Sequence, residues 1–397
     1  MPKILRIINR FNLGGPTFNA AYLTKHMEHI YETLLIGGMQ DDLEDTSLHI
    51  IEDLDLKPFI IPRMFREIDL KNDLKALKMI KEIIREFKPD IVHTHASKAG
   101  ALGRLAAIQL KVPIIVHTFH GHVFHSYFGK LKTMMYKKIE RYLAKRSSAI
   151  IAISKKQKEE LVEMFKIASD EKVKVIQLGF ELNKFSENME EKRKDFRSKY
   201  NIREDTVAIG IVGRLVPIKN HAMFLRAMHA VKEISKKKIR GFIVGDGDER
   251  KNIERLAKEL GLSFSDGANS DDRDDLTFTS WLKNVDEVNA GMDIIALTSK
   301  NEGTPVSLIE AQASNKPIVT TNVGGIEDIV LVNETALLAD PNDQEAFNKL
   351  ILDLIENDEL RAKMGSKGWE FVKEKFHYDR LVKDFDELYS SLLEQRK

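Results

Sequence analysis

Short runs rich in β-branched residues alternate with longer stretches of helical spacing along almost the whole chain, and this alternation limits the fold more than any other feature. "KILRII" (3–8), "ETLLIGG" (32–38), "PDIVHTH" (89–95), "PIIVHTFH" (113–120), "AIIAIS" (149–154) and "KVKVIQLG" (172–179) read as buried strands. Strands covered on both sides belong to parallel sheets flanked by helices. Segments such as 71–87, "KNDLKALKMIKEIIREF", carry apolar residues at helical spacing and can supply that cover. A doubly wound α/β domain is the expected result.

After the charged stretch "SENMEEKRKDFRSKYNIRED" (186–205) the pattern restarts. "TVAIGIVGRL" (206–215), "IRGFIVGDGD" (239–248), "LTFTSW" (276–281), "DIIALTS" (293–299), "KPIVTTNVGG" (316–325) and "ALLADP" (336–341) predict a second parallel sheet. A chain of 397 residues is long for a single core. We therefore expect two Rossmann-like domains, residues 1–182 and 183–375, followed by an amphipathic helix within 376–397. Open sheets of this kind bind ligands beyond the carboxyl ends of their strands, so two of them facing each other imply a central cleft. Residues 263–276, "SFSDGANSDDRDDL", read as a polar acidic surface loop.

Composition excludes several classes of chemistry. The chain has no cysteine, which removes disulfides, thiolate nucleophiles and cysteine-ligated zinc, and fits a reducing compartment. No run approaches the ~18 uninterrupted apolar residues of a membrane span. "MPKILRIINRF" (1–11) reads as a first strand rather than a leader. The net charge of +1 hides an asymmetry, because residues 1–181 hold 29 basic against 22 acidic side chains. The first half can therefore face an anionic partner.

The stretch "KNEGTPVSLIEAQASN" (300–315) combines two glutamates with a helix-start signal. It follows the strand "DIIALTS", which puts Glu302 at the mouth of the sheet. Thr304 suits an N-cap and Pro305 the first helical position, with Asn315 as the stop. The free N–H groups of the first turn then form an anion site suited to a phosphate. A carboxylate beside such a site repels the phosphate unless it serves something neutral and rich in hydroxyls, and a sugar meets that description.

The stretch 292–328, "MDIIALTSKNEGTPVSLIEAQASNKPIVTTNVGGIED", resembles the nucleotide-sugar segment of the retaining family 4 glycosyltransferases, the glycosyl transferases group 1, whose two spaced glutamates match Glu302 and Glu310. Other markers follow the same likeness: "GIVGRLVPIKN" (210–220), "FIVGDGDER" (242–250), "HTFHGH" (117–122) and "FNLGGPT" (11–17). The likeness spans nearly the whole chain. It implies a GT-B fold whose C-terminal helix crosses back to the first domain. It also implies transfer from a nucleoside diphosphate sugar, a UDP-sugar favoured over a GDP-sugar, to an acceptor hydroxyl with retention of the anomeric configuration.

Residue by residue, the resemblance places Gly213, Arg214 and Lys219 at the donor diphosphate, Glu302 at the transferred sugar and Glu310 at the ribose. Gly245 and Gly247 line the nucleotide pocket, and Gly303, Thr304, Pro305 and Val306 complete the donor site. Gly14 and Gly15 form the first glycine turn, and His120 contacts the donor sugar. The density of His117, His120, His122 and His125 leaves a metal site or a purely structural role as alternatives for that cluster. No essential metal and no cofactor are implied, because Arg214, Lys219 and the helix N-terminus supply positive field.

Residues 130–146, "KLKTMMYKKIERYLAKR", hold seven cations and one acid, with Leu131, Met135, Ile139 and Tyr142 on one stripe. That stripe reads most simply as a core face. The other reading is a basic surface leaning on anionic lipid. The likeness implies a cytoplasmic protein, peripheral on the inner face of the membrane if that reading holds, with a lipid-linked saccharide of a surface polysaccharide as acceptor and no nucleic acid. Two segments depart from the family pattern: "QLGFE" (177–181), which leaves Glu181 without a role, and Ala336 where a glycine is expected. A nucleotide-sugar 2-epimerase of the same architecture, or a non-catalytic nucleotide-sugar-binding protein, are the rival readings.

Overall fold

The structure, a computed structural model, describes residues 1–11, 15–38, 48–62, 64–65, 69–120, 130–268 and 271–396. The chain divides into two compact units, one of Met1–Phe180 with Phe376–Lys397, the other of Glu181–Lys375.

In the first unit the strands are β1 (Lys3–Arg10), β2 (Glu32–Gly38), β3 (Phe59–Ile60), β4 (Ile91–His95), β5 (Ile114–Phe119), β6 (Ala149–Ala152) and β7 (Val173–Val175). In the second they are β8 (Thr206–Val212), β9 (Lys238–Val244), β10 (Phe264–Asp266), β11 (Leu276–Ser280), β12 (Ile294–Leu297), β13 (Ile318–Thr321) and β14 (Ala336–Ala339). Among the described residues these build two seven-stranded sheets in the orders β3-β2-β1-β4-β5-β6-β7 and β10-β11-β9-β8-β12-β13-β14. The paired strands run parallel. In each sheet two neighbouring strands, β1 and β4 or β8 and β12, send the chain onward in opposite directions across the sheet. In open α/β sheets the crevice between such strands is where ligands gather.

Burial explains the parallel arrangement. Residues of β4, β5 and β12 are buried along their whole length, so both faces need helical cover. Each fully buried isoleucine or leucine contributes about 2 kcal/mol in removing apolar surface from water. Two strands went unforeseen, β3 and β10. Both are very short edge strands, and β10 falls inside the 263–276 segment expected to be a loop, pairing Phe264 with Leu276 of β11. Strands of two or three residues carry too little alternation to register as a pattern.

The helix Tyr378–Glu394 belongs to the first unit, where Leu381, Phe385 and Tyr389 join Ile4, Ile91, Val116 and Ile151 in one apolar cluster. Its start is fastened by Phe180 N–H donating to Phe376 O (2.8 Å), Tyr378 N–H donating to Phe180 O (3.1 Å), and Arg380 Nη2 donating to Gln177 O and Leu178 O (2.8 and 2.7 Å).

Glycine is required where turns of the second sheet touch. Gly245 has φ 137°, and a Cβ there would lie 2.0 Å from Gly213 O. Gly261 also has positive φ (68°), but a Cβ there meets nothing within 4 Å. Gly261→Ala is therefore expected to cost about 1 kcal/mol of backbone strain, and Gly245→Ala at least about 3 kcal/mol because carbonyl and methyl cannot both be accommodated. Urea unfolding of the two variants checks the ranking.

Candidate functional site

The crevice between β8 and β12 holds most of the residues singled out from sequence. β8 runs out at Val212, and the chain passes through Gly213, Arg214 and a tight turn over Pro217–Lys219. β12 runs out at Leu297 and continues through Thr298 and Ser299 to Glu302. Thr298 Oγ1 donates to the carbonyls of Lys219 and Asn220, each at 3.0 Å, which ties the two exits together. Lys219 Nζ then reaches Glu302 Oε1 at 2.6 Å, and Ser299 Oγ donates to the same oxygen at 2.5 Å. The repulsion expected between Glu302 and a phosphate site is thus already offset by a lysine within the protein. Arg214 is exposed, and among the described residues no carboxylate pairs with it.

The three glycines of this edge brace one another. Gly213 N–H donates to Val244 O (2.9 Å), Gly245 N–H to Ser280 O (3.0 Å), and Gly247 N–H to Asp246 Oδ1 (2.8 Å). Leu215 N–H donates to Asp246 O, and Glu249 N–H returns to Leu215 O, both at 2.9 Å. Their donors are therefore committed inside the protein, and what these glycines provide is close backbone approach.

Past Glu302, Gly303 is exposed and a Cβ there would meet nothing within 4 Å. The helix Val306–Ala313 begins one residue later than expected: Pro305, with extended backbone (φ −70°, ψ 106°), is the N-cap, and Thr304 lies outside. Proline tolerates that geometry, and the residue preceding it is held out of helical conformation. No side chain caps the first turn, and although Leu308 N–H donates to Pro305 O at 3.2 Å, the N–H groups of Val306 and Ser307 keep their donor capacity. Asn315 ends the segment in left-handed conformation, φ 53°. Glu310 lies inside the helix, and its carboxyl has no hydrogen-bond partner among the described residues. Burial pushes its carboxyl up from the ordinary 4.5 to about 7, with Lys184 opposing the shift and Asp286 adding to it.

In the first unit, Gly15 opens the helix Gly15–His26, while Gly14 lies outside the described residues. His120 follows β5, and its Nε2 lies 3.0 Å from His95 Nδ1 at the end of β4. Burial holds the His120 ring at about 3, so it is neutral at physiological pH. His117 is paired elsewhere, with Thr94 Oγ1 (2.8 Å), and His122 and His125 lie outside the described residues. Among the described residues no three histidine or acidic side chains converge on a common metal position.

Sequence reasoning missed Ser299, which orients Glu302, and Gly324, where a Cβ would lie 1.8 Å from Glu302 O. The Gly-Gly pair after "IVTTNV" was the available signal for the second. It also missed His93 and His95, visible in "PDIVHTH" as polar residues at a strand end. Glu181, left without a role, accepts Asn183 N–H at 2.9 Å and so fastens the turn that follows it.

The helix Lys130–Arg146 corrects an expectation. Its apolar stripe is not core: Met135, Ile139 and Tyr142 are 52%, 41% and 47% exposed, and the side chain of Leu131 lies outside those described. The inward face is set instead by Leu143, Ala144 and Glu140, whose Oε2 accepts from the buried Arg104 Nη2 at 2.7 Å. With its one acid turned inward, the helix exposes methionine, isoleucine and tyrosine among Lys138, Arg141, Lys145 and Arg146.

Two family models match, Glycosyltransferase Family 4 over residues 32–184 and Glycosyl transferases group 1 over residues 192–371. An Escherichia coli UDP-Gal:alpha-D-GlcNAc-diphosphoundecaprenol alpha-1,3-galactosyltransferase is 28% identical over 90% of this chain and 87% of that protein. A capsular polysaccharide biosynthesis glycosyltransferase of Staphylococcus aureus is 28% identical over 85% of each. Among solved structures, Anabaena HepE in complex with UDP aligns with a TM-score of 0.80 at 19% identity, covering 98% of this chain and 100% of that one. The first matched segment covers most of the first unit's sheet and ends four residues into the second unit, the other lies within the second unit, and the two parallel sheets have the GT-B architecture. The chain belongs to the family 4 glycosyltransferases, the glycosyl transferases group 1.

Proposed function

We propose that this glycosyltransferase moves a sugar, with retention, from a nucleoside diphosphate sugar to a hydroxyl of a lipid-linked saccharide in surface polysaccharide synthesis. A UDP-sugar is favoured over a GDP-sugar. The observation that carries the reading is the Lys219–Glu302 pair at the β8/β12 crevice, beside an unpaired Arg214 and an uncapped helix start. As the bond from the anomeric carbon to the diphosphate oxygen breaks, negative charge grows on the leaving group. Arg214, Lys219 and the first-turn N–H groups of Val306–Ala313 offset that charge without a metal ion. Glu302 accepts hydrogen bonds from sugar hydroxyls, and Glu310 from the ribose. The acceptor oxygen bonds to the anomeric carbon on the same face, and its proton passes to the departing phosphate oxygen. No enzyme nucleophile is assigned. The names of the Escherichia coli and Staphylococcus aureus relatives support a lipid-linked or polysaccharide acceptor.

The exposed face of Lys130–Arg146 supports a peripheral position on an anionic membrane, where such an acceptor resides. Its apolar side chains would enter the headgroup boundary and its cations would meet lipid phosphates.

Calorimetry with UDP, GDP, ADP and NAD in the presence of EDTA tests the donor reading. One nucleoside diphosphate should bind, and Arg214→Ala should weaken it by about 10- to 100-fold, as loss of a charged hydrogen bond does. Glu302→Ala should cost transfer at least about 100-fold, and because it leaves Lys219 unpaired it should also lower the thermal midpoint. Binding of none, or of NAD alone, refutes the phosphate site.

Glu310 predicts a pH dependence. The folded chain holds this proton more tightly than the unfolded chain, so its stabilising contribution is complete below pH 4.5 and is lost as the pH rises through about 7. Glu310→Gln escapes that loss. Its thermal midpoint should exceed that of the parent at pH 8 and converge with it near pH 5 (about the ordinary carboxyl value).

For the membrane face, Lys138→Glu with Lys145→Glu should lower partitioning onto anionic vesicles at least about tenfold and leave neutral vesicles unaffected. Unchanged sedimentation with anionic vesicles would remove the membrane reading.

A further inference from the structure

Polar side chains form a column through the first unit, from the middle of β1 to the end of β5. Arg6, which sits opposite His93 in the β1/β4 register, is fully buried, and among the described residues no carboxylate faces it. Its Nη2 donates to the Tyr389 hydroxyl at 3.4 Å, and Nη1 donates to Thr24 Oγ1 at 2.9 Å. Arginine cannot accept, so the Tyr389 hydroxyl directs its own proton to His93 Nδ1, 2.7 Å away. His93 therefore carries its proton on Nε2 and donates it to Thr118 Oγ1 at 2.8 Å. The His95 ring lies 4.1 Å from that of His93, and its Nδ1 meets His120 Nε2 at 3.0 Å.

The last link leaves a choice of proton. His95 Nε2 and His120 Nδ1 are both buried and have no partner among the described residues. If His120 donated, the spare N–H would sit on His95 Nε2, in a side chain with no exposure, where an unmade donor is most costly. If His95 Nδ1 donates, the spare N–H sits on His120 Nδ1, on a residue that is only partly buried and stands beyond the strand end. Burial, reinforced by the neighbouring histidines and Arg6, keeps His95 well below its ordinary value, so it holds a single proton to place.

The backbone next to His95 is itself held in a rare state. Ala96 has φ 64° and ψ 167°, a conformation that essentially only glycine adopts freely and that costs on the order of 1–3 kcal/mol. Such strain persists where surrounding structure fixes it, and here it fixes the exit of β4 directly after His95.

We propose that His95 is a positioning residue: its Nδ1–H locks His120 in the Nδ1–H tautomer, which presents that N–H to a hydroxyl oxygen of the bound sugar. The column behind it, Arg6–Tyr389–His93, holds the rings in place and makes the helix Tyr378–Glu394 part of the support. The proposal rests on the reading of His120 as a sugar contact.

The test uses the full chain labelled with ¹⁵N in its histidine rings, without ligand, alongside transfer kinetics. His120→Gln assigns the His120 signals. In the parent, His120 should show a protonated Nδ1 and a bare Nε2. His95→Asn, whose amide falls where Nδ1 was, should keep that tautomer and at least about a third of kcat. His95→Gln, whose amide falls near the Nε2 position, should shift the tautomer toward Nε2–H and lower kcat about tenfold, with the donor KM within about twofold. A protonated Nε2 on His120 in the parent, or Asn and Gln variants that agree in both readouts, overturns the proposal. Full activity in His120→Ala would instead sink the sugar-contact reading, and the ring-nitrogen spectra would still decide whether His95 sets the tautomer.

Discussion

Parallel pairing of strands buried on both faces is the constraint on which everything else in this protein depends. A strand such as β12, Ile294–Leu297, offers no polar face, so its only exits to solvent are its ends. Because the neighbouring strands run the same way, their carboxyl ends emerge together, and polar residues placed there share one edge. The two sheets differ in strand order on one side, where β11 is inserted between β9 and β10, yet in both polar groups gather at the carboxyl ends of central strands: Lys219 with Glu302 in one, His95 with His120 in the other. Function sits at these edges because the chain has nowhere else to put it.

The two edges solve opposite electrostatic problems. Around β8 and β12 the charges are retained but arranged unequally: Glu302 is matched by Lys219, Arg214 is left open, and burial raises the Glu310 carboxyl to about 7. On the proposed donor reading, a diphosphate at this edge would meet the unengaged Arg214 as well as Lys219. Around β4 and β5 the charge is removed: burial keeps four rings neutral, and specificity then rests on which nitrogen bears the proton. A neutral hydroxyl-bearing ligand suits such a place better than an ion does.

Much of this was legible in the sequence, for a physical reason. Long β-branched runs and their glycine exits are dictated by burial and by turn geometry, so β8, with its exit through Gly213, announces itself locally. What escaped was set by partners distant in sequence. The acidic character of 263–276 hides β10, which exists because β11 offers an edge. The stripe of Met135, Ile139 and Tyr142 has the spacing of a buried face, and only the Arg104–Glu140 pair, 36 residues apart, turns the helix the other way. Ser299 and His95 act through neighbours whose positions no local pattern encodes. The one-residue difference at Pro305 reflects how little separates an N-cap from a first turn when proline itself fixes φ.

The return of the helix Tyr378–Glu394 to the first unit has a consequence for biosynthesis. Ribosomes deliver the chain from its N-terminus, and domains generally fold as they emerge. Here the sheet β1–β7 is finished early but lacks Leu381, Phe385 and Tyr389 until residues 376–394 appear. The second unit can therefore close before the first is sealed, and the nascent first unit waits with an apolar cleft that chaperones or its own tail must fill. A chain that stops before that tail lacks the tyrosine that contacts His93 and the apolar residues that complete the core of the first unit.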